Sequence, residues 1–370
     1  MKIKPKLSFP SANSIKIGTF WQIPVKLHWT FGLLLGLILF SAYKNGLTLP
    51  QTVGFVLFFL CIFLCVVLHE FGHALMAKRF HVVTRDIILS PVGGVARLES
   101  LPKNPFQELS IAIAGPMVNL IIAAILIPVL YFVFDTGWPR LDDFKYDKPV
   151  EFLKYLAFVN VGLFFFNLIP AFPMDGGRIL RSVLAMQMDK IRATKIASGI
   201  GKVIAILFII IGIFFQHLTL SLIGIFIFLM AGMEYKSLRI SEIIKNTLAK
   251  QLMKTRFTMV SPDDQYEKLI TLYQKEGEKN FLVFGIGNDV IGCIPELYIK
   301  DVSKKGNIDL KVNQLMNPNF GVFPSDTSLE YIMDIMKEKG LSIVGIEEEQ
   351  LIVGVIDRNM IQDFIILKSS

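Results

Sequence analysis

An uncharged apolar run, Val53-Gly-Phe-Val-Leu-Phe-Phe-Leu-Cys-Ile-Phe-Leu-Cys-Val-Val-Leu68, leads without a break into His69-Glu70-Phe71-Gly72-His73. A run this long and apolar predicts a membrane-spanning helix that begins near residue 51. At about 1.5 Å per residue, His69 lies roughly 27 Å along that helix, close to the membrane surface but beneath it. Two imidazoles and a carboxylate are expensive at that depth without a function, so we expect the neighbouring helices to leave a polar cavity there.

The composition is too apolar for a soluble protein of this length. Hydrophobic residues make up 53% of the 370 positions and charged residues 19%, whereas soluble domains carry about a quarter charged residues. The excess is confined to residues 27–235, and the remainder resembles an ordinary soluble sequence. We therefore expect a membrane domain over residues 1–240 and a soluble domain over 247–370. The net charge of +7 is modest, is explained by basic residues at helix ends, and indicates no nucleic-acid partner.

The apolar segments predict a polytopic α-helical membrane protein with about six transmembrane helices. The first and last segments are near the lower limit of about 17 residues for crossing the hydrocarbon core. The six segments are approximately 27–43, 51–77, 107–134, 152–171, 196–216 and 218–235.

The loop charges predict the orientation of these segments. Basic residues are concentrated in the N-terminal arm and after the second, fourth and sixth segments, and the alternate loops are poorer in them. The loop after the second segment, for example, contains Lys78, Arg79, Arg85, Arg97 and Lys103. Because basic loops stay on the cytoplasmic side, we expect both termini in the cytoplasm and the chain in the plasma membrane.

The spacing of His69, Glu70 and His73 predicts half of a zinc site. Helical residues four apart project to one side, so both imidazoles can bind one ion. Zinc binds such nitrogens at about 2.0–2.1 Å, and the intervening Glu reaches a water molecule and takes its proton. A chance match to this short pattern is the alternative, and the apolar surroundings weigh against it.

Zinc then needs one more protein ligand, and Asp175 is the best candidate. It ends the segment Asn167-Leu-Ile-Pro170-Ala-Phe-Pro173-Met-Asp175, followed by two glycines, so the helix must break beside it. Broken helices at membrane depth occur where protein or a cavity supports them. Alternatively, Asp175 could cap a following helix that opens near Arg178. The histidines outside the pair are weaker candidates: His28, His81 and His217.

Four motifs in order resemble the site-2 protease family, specifically its bacterial and archaeal branch with a C-terminal pair of cystathionine-β-synthase-type (CBS) modules. His69–His73 resembles the first metal motif of that family, and Asn167 with Pro173–Gly177 resembles the second. Pro91–Glu99 is similar to the loop between its second and third spans, and Ala114–Asn119 to the start of its third span.

The resemblance implies an enzyme that hydrolyses a peptide bond in or near a membrane-spanning segment. It implies one Zn²⁺ per subunit held by His69, His73 and Asp175, with Glu70 as the acid and base. It also places Asn167 near the site, as a hydrogen-bond donor to substrate or oxyanion, although an interhelical hydrogen bond is the alternative. The substrate would be a single-pass membrane protein, such as an anti-sigma factor or a transcription-factor precursor.

Gly93 and Gly94 lie in the family-like loop and suggest how substrate is held. A helix shields its own peptide bonds, so the substrate must unwind before it is cut. An extended edge at Gly93-Gly94 could bind the unwound segment by strand addition.

The soluble part contains an internal duplication with a period of about 60 residues. Phe281–Gly285 and Val290–Ile294 predict a strand pair, and Ser342–Ile346 and Leu351–Ile356 predict a second. This duplication resembles an α/β tandem CBS module, and the resemblance implies units of about 247–305 and 310–368.

CBS modules typically bind an adenine nucleotide, but both units here depart from the usual motif at two positions each. Many such modules end the last strand with Thr or Ser and place Asp three residues later. Those positions are Pro295 and Tyr298 in the first unit, and Asp357 and Met360 in the second. Formation of a homodimer, or gating of substrate, is the alternative role of the module.

Two other functions compete with zinc proteolysis. A CBS-regulated metal or ion transporter would explain acidic residues and histidines in the membrane, but not a glutamate within a two-histidine turn. Ser198, between Ala197 and Gly199, faintly resembles the nucleophile motif of a serine-type intramembrane protease. It has no histidine in a neighbouring span, and small residues at a helix contact explain it better.

Overall fold

The structure is a computed structural model that describes residues 14–91, 93–99, 102, 104–134, 149–285, 287, 289–305 and 310–369. The basic arm before residue 14 and the loop of residues 135–148, both used to predict orientation, lie outside these residues, as do Val92 and Lys103. The chain divides into two compact units, and the boundary falls between Tyr235 and Lys236.

The first unit is mainly helical. Of the helices in the described residues, five are long and apolar enough to cross a membrane, and α1, with 15 residues, is shorter. The prediction of about six spans therefore holds fully for five of the six segments. The helices of this unit are α1 (Thr30–Lys44), α2 (Leu49–Arg79), α3 (Pro105–Phe134), α4 (Pro149–Leu168), α5 (Asp175–Ala185), α6 (Lys190–Phe214) and α7 (Leu218–Asn246).

Helix α2 begins at a clear N-terminal signal. Thr48 has an extended backbone, and its N–H donates to the Gln51 side chain over 3.0 Å, while Pro50 lies within the first turn. This contact satisfies a backbone N–H at the start of the helix that has no partner inside it, and Pro50 lacks an N–H that would need one. The start of α2 is thereby fixed, and with it the position of His69 and His73 near its other end.

Helix α5, which follows the break after α4, begins three residues earlier than the sequence analysis predicted. We predicted the opening near Arg178, whereas α5 begins at Asp175. Met174 precedes its first turn, and no side chain caps it. The Asp175 carboxylate is therefore not used as a helix cap and is available for another contact.

A four-stranded sheet packs on the end of α2. Its order is β1-β2-β3-β4, and only the pairing of β2 with β3 is parallel. Its inner face meets α2 at Phe71 and Ala74 through Ile23, Val25 and Ile87. Strand β4 lies at the edge of the sheet. The strands are β1 (Ser14–Phe20), β2 (Ile23–His28), β3 (Thr84–Ser90) and β4 (Gly93–Leu98).

One buried carboxylate ties three of these strands together. Asp86 of β3 accepts hydrogen bonds from Lys26 of β2 and from Arg97 of β4, each over 2.6 Å. Burial raises the pKa of Asp86, but the hydrogen bonds from Arg97 and Lys26 lower it by more, so this pKa lies below its usual value. The ionised group fixes the edge strand β4 to the sheet.

The second unit contains the duplication that the sequence predicts. A helix, two antiparallel strands and a second helix occur twice along it. The first set is α8 (Tyr266–Thr271), β5 (Phe281–Phe284), β6 (Val290–Ile294) and α9 (Glu296–Lys305). After the short helix α10 (Val312–Leu315) and strand β7 (Val322–Pro324), the second set is α11 (Leu329–Glu338), β8 (Ile343–Glu348), β9 (Leu351–Asp357) and α12 (Arg358–Ser369).

The two halves of this unit share their cores. Val312 of α10 packs in the core formed by the first half, and Ala249 packs in the core formed by the second. A third cluster, which includes Leu282 and Ile343, joins strands from both halves. Since each half supplies a residue that completes the core of the other, we expect the halves to fold together.

Candidate metal centre

Three buried side chains from two distant helices converge on one point. His69 and His73 project from the same side of α2, and Asp175 stands in the first turn of α5. His69 Nε2, His73 Nε2 and Asp175 Oδ2 are each 3.1 Å from the other two atoms. Each of the three residues is less than one-tenth exposed.

The partners of His73 indicate that this cluster needs a positive charge. His73 Nδ1 lies 2.7 Å from the carbonyl oxygen of Ile111, which can only accept a hydrogen bond. Nδ1 therefore carries the hydrogen, and in the neutral ring Nε2 presents a lone pair. That lone pair points at a carboxylate oxygen and a second imidazole, an arrangement that a cation stabilises.

The geometry and chemistry of the three atoms fit zinc. A tetrahedral zinc ion with ligands at about 2.0–2.1 Å keeps those ligands about 3.3 Å apart. The observed 3.1 Å separations need only small outward movements to reach that value. Two imidazoles, a carboxylate and one free position are the ligand set of catalytic zinc sites.

Glu70 lies beside the pair and faces the sheet. Its Oε2 accepts a hydrogen bond from the backbone N–H of Ala96 in β4 over 2.7 Å. A Cβ atom on Gly94 would lie 2.7 Å from Glu70 Cγ, closer than real contacts allow, so only glycine fits there. The edge strand and the carboxylate are therefore in direct contact.

Helix α3 approaches the histidines at a second glycine. A Cβ atom on Gly115 would overlap His73 Nε2 and lie 2.7 Å from His69 Nε2. The absence of a side chain at Gly115 leaves room for both ring nitrogens. Helix α3 thus forms one wall of the candidate metal centre.

A buried ion cluster holds α5, the helix that carries Asp175. Arg181, 1% exposed, donates through Nε to Glu108 of α3 and through Nη1 to Glu234 of α7, each over 2.8 Å. Lys190 Nζ lies 2.8 Å from the second oxygen of Glu108. Removing one partner of a buried pair usually costs about 3–5 kcal/mol, so this cluster fixes α5 firmly.

The other predicted site residues are placed as follows. Gly93 opens β4 with φ of 139°, a backbone conformation that favours glycine. Asn167 donates its side-chain N–H to the Leu163 carbonyl of its own helix over 2.9 Å. The structure therefore brings together Glu70 and the Gly94 strand, and it gives Asn167 a contact within α4. The role of Asn167 stays a prediction.

The sequence analysis missed several residues around the centre. Asn119, 0% exposed, places Oδ1 2.5 Å from His69 Nδ1, and its own Nδ2 donates to Asn160. Asn119 ends the family-like stretch Ala114–Asn119, and both asparagines stand in long apolar runs; these were the available signals, because amides are rarely left unmatched in a membrane interior. Arg181 is one of the basic residues after the fourth apolar segment that predict the orientation of the chain, yet its side chain is buried.

Comparison with known proteins identifies the family. The sequence profile of peptidase family M50 matches residues 57–149 and 142–212. A zinc metalloprotease of Methanocaldococcus jannaschii is 36% identical over 284 residues, which are 76% of this chain and 78% of that protein. The chain belongs to peptidase family M50. It is therefore a metalloprotease and a multi-pass membrane protein, as the sequence predicted, and zinc is the metal that its relatives imply.

Other matches extend over both units of this M50 peptidase. Stage IV sporulation protein FB of Bacillus subtilis is 24% identical over 277 residues, 74% of this chain and 88% of that protein. A solved site-2 protease from M. jannaschii is 36% identical and covers 60% of this chain and 95% of its own, with a TM-score of 0.45. The CBS domain profile matches residues 312–366. The predicted fold class, a polytopic helical membrane protein with a C-terminal CBS module, is confirmed.

Proposed function

We propose that this chain is an intramembrane zinc endopeptidase that cuts a peptide bond in or near the transmembrane segment of a membrane-anchored protein. The observation that carries the proposal is the convergence of His69, His73 and Asp175 within a buried 3.1 Å triangle near one end of an apolar helix. Membrane helices bury such groups where they serve a function. Glu70, one residue after His69, supplies the remaining group that hydrolysis needs.

The side chains divide the work as follows. Zinc, held by His69, His73 and Asp175, would polarise the scissile carbonyl and lower the pKa of water towards 7. Glu70 takes a proton from the attacking water and later delivers a proton to the leaving amine. The Ala96 N–H holds the Glu70 carboxylate in one orientation while it does so.

The proposal predicts that Asp175→Ala loses both metal and activity. In detergent, the native chain should retain one zinc after gel filtration and cut a single-pass peptide that carries Gly and Asn in its apolar segment. Removing one of three ligands should raise the zinc dissociation constant by more than about 100-fold. Chelator-stripped native protein should recover cleavage when zinc is restored, whereas the variant should not at matched zinc.

Asp189→Ala is the matched control. Asp189 caps α6, where its side chain accepts from the Arg192 N–H, so its loss should affect stability by about 1 kcal/mol and leave zinc binding unchanged. Retention of native zinc affinity by Asp175→Ala would refute the metal site. Zinc uptake into proteoliposomes by the native chain, with no cleaved peptide, would favour the transporter.

We also propose that substrate binds along the edge of β4. The strand carries both the N–H that contacts Glu70 and the glycine against which Glu70 packs, so an added strand would lie beside the acid and base. Strand addition uses backbone hydrogen bonds, which an unwound transmembrane segment can supply whatever its sequence. This agrees with the sequence prediction for Gly93 and Gly94.

Gly94→Ala tests this arrangement. The new Cβ must displace Glu70 or the strand, and a displacement near 1 Å from productive geometry costs on the order of 100-fold in rate. We expect that loss in kcat/KM on the peptide, with zinc content unchanged. Gly162→Ala, which adds the same methyl group where nothing lies within 4 Å, should stay near native activity. Native activity in Gly94→Ala would contradict the proposed contact.

We propose that both termini are cytoplasmic and that the substrate is a single-pass regulator, such as an anti-sigma factor or a transcription-factor precursor. The charge bias of the loops supports the first statement, and membership of family M50 supports the second. A cysteine introduced at the C-terminus should resist an impermeant reagent added to intact cells. A full-length membrane protein should accumulate in cells that carry an inactive variant.

We propose that the second unit acts by forming a homodimer or by gating substrate. The lining of its cleft disfavours a nucleotide phosphate, because the carboxylates of Glu278, Asp357 and Asp363 outnumber the lysines, Lys254 and Lys279. Lys254, in the same cleft, is paired with Glu278 over 2.9 Å. Sedimentation of the full chain in detergent should show a dimer, and ATP or AMP should leave its melting temperature unchanged.

A further inference from the structure

A line of buried amides runs from one metal-binding histidine across two neighbouring helices. His69 Nδ1 of α2 meets Asn119 Oδ1 of α3 at 2.5 Å. Asn119 Nδ2 donates to Asn160 Oδ1 of α4 over 2.9 Å, and Asn160 Nδ2 donates to the Leu156 carbonyl over 2.8 Å. Both asparagines are 0% exposed, so water cannot replace these partners.

The Leu156 carbonyl, at the far end of the line, fixes which way both amide groups are oriented. The Leu156 carbonyl can only accept, so the amide nitrogen of Asn160 must face it and the amide oxygen must face Asn119. Asn119 then turns its own nitrogen towards Asn160 and its oxygen towards His69. His69 Nδ1 must therefore carry the ring hydrogen, which leaves the Nε2 lone pair free for a metal ion.

The two histidines differ in which group holds the ring hydrogen on Nδ1. In His73, the backbone carbonyl of Ile111 holds the ring hydrogen on Nδ1, and no side-chain substitution removes that carbonyl. His69 depends on two side chains, Asn119 and Asn160. If either amide rotated, an N–H would face His69 Nδ1, and the hydrogen would move to Nε2, where it blocks the metal.

We propose that Asn119 and Asn160 are positioning residues that hold His69 in the metal-binding tautomer, with the direction set by the Leu156 carbonyl. The inference rests on the proposed metal site and adds the reason why two amides are buried in an apolar interior. A fully matched buried network stabilises one arrangement, whereas a partly matched one is unfavourable. Groups that orient a metal ligand typically change metal affinity by about 10–100-fold when removed.

Asn160→Leu is the first test, because it leaves Asn119 in place but removes what orients it. In zinc-free protein labelled with ¹⁵N-histidine and carrying Asp175→Ala, so that no carboxylate faces Nε2, the His69 ring should give the signals of the Nδ1–H form. Adding Asn160→Leu to that protein should give a mixture of both tautomers. The zinc dissociation constant of Asn160→Leu alone, measured by chelator competition, should rise by about 10–100-fold. The His69 signals are assigned by their loss in His69→Gln.

Asn119→Asp and Asn119→Leu separate orientation from packing. A carboxylate at position 119 can only accept, so the aspartate variant should keep His69 in the Nδ1–H form and bind zinc more tightly than the leucine variant. Thr194→Val is the matched control, because Thr194 is also 0% exposed and donates only to the Lys190 carbonyl. It should lower the melting temperature without changing zinc affinity.

The outcomes distinguish this inference from the proposed function. Absence of zinc from the native chain would overturn the metal site itself. If the native chain binds zinc but Asn160→Leu changes only the melting temperature, as Thr194→Val does, the amides are merely structural and the inference fails. Equal zinc affinities in Asn119→Asp and Asn119→Leu would also overturn it.

Discussion

Replacing Glu70 by Gln should abolish peptide cleavage while leaving the bound zinc in place. The amide has nearly the shape of the carboxylate but cannot take a proton from water at neutral pH. A positioned acid or base contributes about 10²–10⁴-fold, so kcat should fall on the order of 1,000-fold. Zinc content should stay at one per chain, because Glu70 contacts the Ala96 N–H and not the triangle of metal-binding atoms.

The position of the Glu70 carboxylate determines the control for this variant. The substituted amide retains an oxygen that can accept from the Ala96 N–H, so the sheet should keep its place against α2. Glu99→Gln removes a charge at a site outside the centre and should leave kcat unchanged. A Glu70→Gln chain with native turnover would show that another group moves the proton. A chain that loses its zinc would show that Glu70 supports the metal.

Much of the membrane unit is predictable because long apolar runs allow little except helices. The bounds of α2, α3 and α4 differ from the predicted segments by at most three residues. Strands β1 and β2 were missed, although Ile23, Val25 and Leu27 recur at every second position of β2, with the less buried Pro24 and Lys26 between them. The two-residue alternation of β2 runs directly into the apolar sequence of α1, so the predicted apolar segment, 27–43, covers the end of β2 as well as most of α1.

The candidate site was predictable where local spacing determines it and unpredictable where packing does. His69 and His73 share a helix face by periodicity alone, and the broken helix suggested Asp175. Spacing carries no such information on Asn119, which is 50 residues from His69 and meets it only because α3 crosses α2 at that level. Arg181 shows the same limit, since its partner Glu108 lies 73 residues away.

Gly115→Ala should disrupt the metal centre by adding a single methyl group. The new carbon would overlap His73 Nε2 and approach His69 Nε2 to 2.7 Å, so either α3 or both rings must move. Forcing a methyl into a packed interior costs about 1–3 kcal/mol, and the rings that would move are proposed metal ligands. We expect zinc affinity to fall by more than about 100-fold and cleavage to fall with it.

A second glycine in the bundle provides the matched control. Gly162 of α4 has nothing within 4 Å of the position that a Cβ would occupy, so Gly162→Ala adds the same methyl to open space. It should bind zinc normally and gain up to about 1 kcal/mol of stability from its better helix propensity. If Gly115→Ala matched Gly162→Ala in zinc affinity, α3 could not form the wall of the metal centre. The close approach of α3 also brings Asn119 to His69, so that result would remove the basis of the line of buried amides as well.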